Sequence, residues 1–74
     1  MGPKGRVGWV VRASMVDGSP DRLFSVGYPD AATAERAVKN FPNVDKSKVK
    51  AVRLLSLWEL AECRLRPGEV LPYV

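Results

Sequence analysis

Lysine recurs at every second position in Lys46, Lys48 and Lys50, and Arg53 follows three residues later. On an extended backbone alternate side chains share a face, so this row would present ammonium groups on one side, suited to tracking the phosphates of a nucleic acid. The same row would serve as a solvated sheet edge, where lysines oppose pairing with another chain. The solvated edge is the better account of the two. Sequence-tolerant binding of single strands also wants exposed aromatic rings, and Trp9, Phe24 and Phe41 are expected inside. No zinc-finger, RNP or helix-turn-helix signature accompanies the row.

Other residues with reactive side chains point to less. Asp17 and Asp21 stand four apart, but within Asp17-Gly18-Ser19-Pro20-Asp21, a string of turn formers in which Asp bonds its own backbone. Gly2, Gly5 and Gly8 surround Lys4, yet they precede strand-like sequence and not the helix that a phosphate loop requires. Ser14, Ser19, Ser25, Ser47 and Ser56 include no G-x-S-x-G nucleophile. Cys63 is the single cysteine. It stands beside Arg64 and Arg66 with no base partner in the pattern, so it reads as a small apolar helix residue. Histidine is absent, which removes His-dependent triads and the commonest zinc and haem ligand. No catalytic, cofactor or metal residue is expected, and the chain reads as non-enzymatic.

The elements that would position these residues follow from periodicity. Residues 6–16 alternate, with Val7, Trp9, Val11, Ala13 and Met15 on one side, which predicts a strand. The turn at 17–21 ends it, and residues 22–28 form the returning strand. Asp30 caps a helix over 31–41 whose Ala34, Ala37, Val38 and Phe41 share a face, and Pro42 stops it. After a polar connection over 43–48, residues 49–55 return to strand character with imperfect alternation. Ser56 and Glu59 form a capping box, with Leu55 and Leu60 in the hydrophobic-staple positions, which opens a short helix through about Arg64. Arg66-Pro67-Gly68-Glu69 predicts a type II turn. Residues 70–74 would be a docked tail or a short edge strand.

This order predicts one α+β domain over 1–74, with a flexible start at 1–5. It is a two-layer sandwich, β-β-α-β-α, with a three-stranded antiparallel sheet in the order 2-1-3 and both helices on one face. The other face would then be open. Val10, Val16, Phe24 and Tyr28, with Val70, Leu71 and Tyr73 of the tail, form the apolar surplus there, and they are the expected protein interface. The tail folding back over that face is the equally plain alternative.

Seventy-four residues bury only about 60% of their unfolded surface, so self-association would help so small a core. A net charge of +4 permits contact with anions and equally serves solubility. The lone thiol fits a reducing cytoplasm. The apolar stretch from Val7 to Val16 is broken by Arg12 and too short to span a bilayer, and no signal-peptide core follows the N-terminal charges. The expectation is a cytoplasmic protein-interaction module, self-associating through the open sheet face or an edge strand. The alternative is a basic nucleic-acid-binding accessory protein using Lys46, Lys48, Lys50 and Arg53.

Overall fold

The computed structural model describes residues 7–73; the flexible start expected over 1–5 and the last tail residue, Val74, lie outside them. In chain order the elements are β1 (Trp9–Met15), β2 (Arg22–Val26), α1 (Ala31–Lys39), β3 (Val44–Leu54), α2 (Leu57–Cys63) and β4 (Val70–Pro72). All strand pairings are antiparallel and the sheet order is β3-β1-β2-β4. The small α+β class and the placing of β1 between β2 and β3 agree with the sequence reading, and the strand count does not. The sheet has four strands, because residues Val70–Pro72 pair with β2.

Local chemistry accounts for that fourth strand. The turn after α2 closes through the Glu69 amide on the Arg66 carbonyl at 3.0 Å, with Gly68 at φ 81°, a backbone region open to glycine at no steric cost. The turn is then fastened to the end of β2: the Gly27 amide donates to the Glu69 carbonyl at 2.8 Å, and the Gly68 amide to the Gly27 carbonyl at 2.7 Å. A Cβ at Gly27 would run into the Arg66 carbonyl, so glycine is required for this approach. Phe24, Ser25 and Val26 then face Pro72, Leu71 and Val70.

The two helices lie on opposite faces of the sheet, which corrects the expectation that both share one. α1 begins at Asp30, whose carboxylate accepts the Thr33 amide at 2.9 Å, and buries Ala34 and Val38 against Val11, Ala13, Phe24, Val26 and Val44. Trp9, Met15 and Phe41 pack around this core, so the first face is full when the chain leaves β3. α2 therefore covers the other face, where Leu55, Leu60 and Leu65 close over Val10. The face expected to be open holds a second, smaller core.

A displacement in β3 makes this possible. Val11 faces Ala51 and Val10 faces Arg53, which leaves Val52 as an extra residue. Such a bulge moves the following side chains to the other side of the sheet. Val49 and Ala51 accordingly join the first core and Leu55 the second. The polar connection expected over 43–48 is strand from Val44 onward, bulged again between the partners of Ala13 and Met15. There the Asp45 carboxylate accepts the Ser47 amide at 3.0 Å and its hydroxyl at 2.7 Å. Asp, Ser and Lys gave this stretch the composition of a loop, but Val44 is buried and anchors it.

Candidate protein-binding surface

The capping box holds α2 at a fixed rotation. Ser56 Oγ accepts the Glu59 amide at 3.1 Å, and Glu59 Oε1 accepts the Ser56 amide at 2.9 Å. The Glu59 carboxylate also receives both guanidinium nitrogens of Arg53, each at 2.8 Å, and the Tyr73 hydroxyl at 2.6 Å. Arg53 donates further to Tyr73 Oη at 2.8 Å. Three elements are thereby tied together: Arg53 from β3, Glu59 from α2 and Tyr73 beyond β4. The Arg53 guanidinium is the main reason that the Glu59 carboxyl is held well below its usual range. The same bond raises Arg53, and the hydrogen bond to Glu59 raises the Tyr73 hydroxyl.

With α2 so fixed, Leu60 is buried while Leu57 and Trp58 stand 79% and 78% exposed. Ala61 is exposed as well. The bulged end of β3 adds Val52 and Leu54, which are 50% and 53% exposed. Four large apolar side chains are thus in water within residues 52–58. Leu54, paired with Trp9, lies on the α1 side of the sheet. Leu57 and Trp58 are adjacent on α2, and neighbouring exposed apolar side chains of this size are a mark of contact with another molecule. An exposed tryptophan is the side chain most enriched at energetically dominant contacts.

Between α2 and β4 runs a groove of about 390 Å³. Trp58 and Glu62 form its α2 wall, Pro72 and Tyr73 the opposite one, and Ser25 and Cys63 lie at its base. Ser25 is the buried polar residue of the sheet, 2% exposed, and occupies a row of paired positions Arg53, Val10, Ser25 and Leu71.

The expected interface is dispersed by this arrangement. Val10 is 2% exposed beneath α2, and Phe24 is buried under α1, so neither lies on an open face. Tyr28 and Val70 pack against the first core, and Leu71 and Tyr73 against the second. Val16 alone of that set is well exposed, beside the turn after β1. The exposed Leu57 and Trp58 lie outside that expected set. The signal was present: the staple pair Leu55 and Leu60 fixes the inward side of α2, and Trp58, two positions before Leu60, falls about 200° away from it.

The basic row is also rearranged. Lys46, Lys48 and Lys50 are exposed, but Arg53 is engaged with Glu59 and does not continue them. Arg12 does, because β1 places it directly opposite Lys50. Like charges facing each other across a strand pair are unfavourable. Arg12 and Lys50 border a recess of about 220 Å³ in the row beside the one α2 covers. Among the described residues no group of three or more metal-ligating side chains occurs, and no helix is long and apolar enough to cross a membrane. No family model, curated protein or solved structure matches the chain.

Proposed function

We propose that this chain is a small, non-enzymatic protein-interaction module that engages its partner through Leu57 and Trp58 of α2. The exposure of Leu57 and Trp58 on a helix that cannot rotate to bury them carries this reading. Covering each such side chain is worth about 1.5–3 kcal/mol, a gain the folded chain leaves for a partner. The contact is made by side chains and not by strand addition, since β4 is three residues long and contains Pro72, and β3 carries the three edge lysines. Its proposed setting is the reducing cytoplasm, where a half-buried free thiol such as Cys63 persists.

Two measurements test it. Light scattering over a concentration series identifies a second copy as the partner, by a mass that rises in the wild type and stays monomeric in the Leu57→Lys, Trp58→Lys double variant. A photo-crosslinker at position 57, in the cells that make the protein, identifies a different partner by a discrete adduct that Trp58→Lys abolishes. A chain that stays monomeric throughout and crosslinks no more from position 57 than from position 32 on α1 would remove the reading.

A second reading is kept by one observation, the facing of Arg12 and Lys50. A polyanion seated on Lys46, Lys48, Lys50 and Arg12 would relieve that repulsion, which supports a nucleic-acid-binding accessory role.

A further inference from the structure

We infer that the groove between α2 and β4 takes an extended, proline-containing peptide segment that carries a basic side chain. The inference rests on the reading of the outer surface of α2 as protein-binding, and names the chemistry of the partner at its inner margin.

The walls and the polar atoms of the groove point the same way. Trp58, Tyr73 and Pro72 line it, giving two aromatic rings and a pyrrolidine along one cleft. Aromatic-lined clefts favour proline-rich segments, whose extended helix is formed before binding and costs little ordering entropy. Such segments lack many backbone donors and offer their carbonyls as acceptors. The groove supplies donors to match. Ser25 lines the groove, and its hydroxyl takes part in no side-chain hydrogen bond among the described residues. The Trp58 indole N–H is likewise unpaired among the described residues, whereas the Trp9 indole N–H donates to the Pro29 carbonyl at 3.2 Å.

The basic side chain follows from the charges. Of the two carboxylates on the groove, Glu59 is engaged by Arg53 and Tyr73, as described above. Glu62 forms no ion pair among the described residues and stands at the rim beside Trp58. A cation there gains the carboxylate and the indole face together. The attraction is local: the chain as a whole is +4, so a basic ligand binds here against the net charge and not because of it.

The probe is an acetylated decapeptide rich in proline with two arginines at one end, titrated by calorimetry and by the chemical shift of the Trp58 indole proton. Two controls replace its prolines by serine or its arginines by glutamate. The expected result is saturation below about 1 mM, with the Trp58 indole proton moving and the Trp9 one unmoved. Trp58→Ala should weaken binding at least about tenfold, and Glu62→Gln about threefold for the arginine peptide but not for the glutamate control. Trp58 and Glu62 are both exposed, so these variants should fold, which circular dichroism checks. Absence of saturation, equal binding of the serine control, or indifference to Trp58→Ala would each overturn the assignment. A failed titration beside a crosslink from position 57 removes the groove ligand and leaves the protein-binding reading standing; loss of both removes the reading as well.

Discussion

Glu35 on α1 reaches the outer edge of the sheet, where its Oε2 accepts the Ala51 amide of β3 at 2.7 Å. That amide points away from β1 and would otherwise be a donor open to another strand. An unpaired edge is a template for association, and here a carboxylate occupies it between Lys50 and the bulge at Val52. Replacing Glu35 by Ala frees the donor, so the variant is expected to associate at concentrations where the wild type does not. Glu35→Gln keeps an acceptor and should behave as the wild type. Light scattering that shows no difference between Glu35→Ala and the wild type would mean that the lysines alone protect the edge.

The second core depends on Leu65, which follows the left-handed Arg64 cap of α2 and lies 2% exposed against Val10, Leu55 and Leu60. Leu65→Ala is expected to cost about 2–5 kcal/mol, measured by denaturant titration. A cost near zero would place α2 outside the cooperative fold.

The bond between Arg53 and Glu59 makes stability depend on pH. Glu59 holds its proton less tightly in the folded chain than at its ordinary value of 4.5, so on acidification the unfolded chain is protonated first. The stabilisation is therefore complete above that value and is lost as pH falls below it. Tyr73 has the opposite sense: its hydroxyl is raised above 10.0 by the bond to Glu59, so its contribution is complete below that value and fades above it. The stability gap between wild type and Glu59→Gln should be level around neutrality and shrink below about pH 4. A gap unchanged into strong acid would show that the ion pair contributes nothing to folding.

The facing of Arg12 and Lys50 gives the nucleic-acid reading its own test. If Lys46, Lys48 and Lys50 meet phosphates, changing all three to Gln should flatten the log–log dependence of duplex binding on salt by up to about three units, and Arg12→Gln by about one more. The same change made at Arg53, already paired with Glu59, should do much less. Equal effects at every basic position would reduce the row to a solvated edge.

Much of this fold was legible because local rules and packing agreed. The alternation of β1, the Asp30 cap and the Ser56–Glu59 box all appear in the structure where the sequence put them. The face of α2 was lost at one residue: the extra Val52 reverses the phase of β3, and its imperfect alternation recorded a bulge that composition alone does not locate. The fourth strand stands in the sequence only as an alternative to a docked tail, since what decides it is the approach of Arg66 to Gly27, which are 39 positions apart in the chain but adjacent in space. The proposed binding surface was harder still. Apolar type put Val10 on an open face, and the packing of α2 over that side of the sheet buries it.

Helices on opposite faces divide the labour of the molecule unequally. Among the described residues the α1 side buries seven in its core and the α2 side four, so the layer that bears Trp58 and the groove is the one with less holding it down. Opening of a sub-region costs in proportion to the contacts it breaks. The α2 layer should accordingly lift while the α1 side and the sheet stay closed, with the bond after Arg64 the first that trypsin reaches. The proposed recognition surface thus lies where the chain can change residues, or briefly part from itself, without losing the sheet beneath.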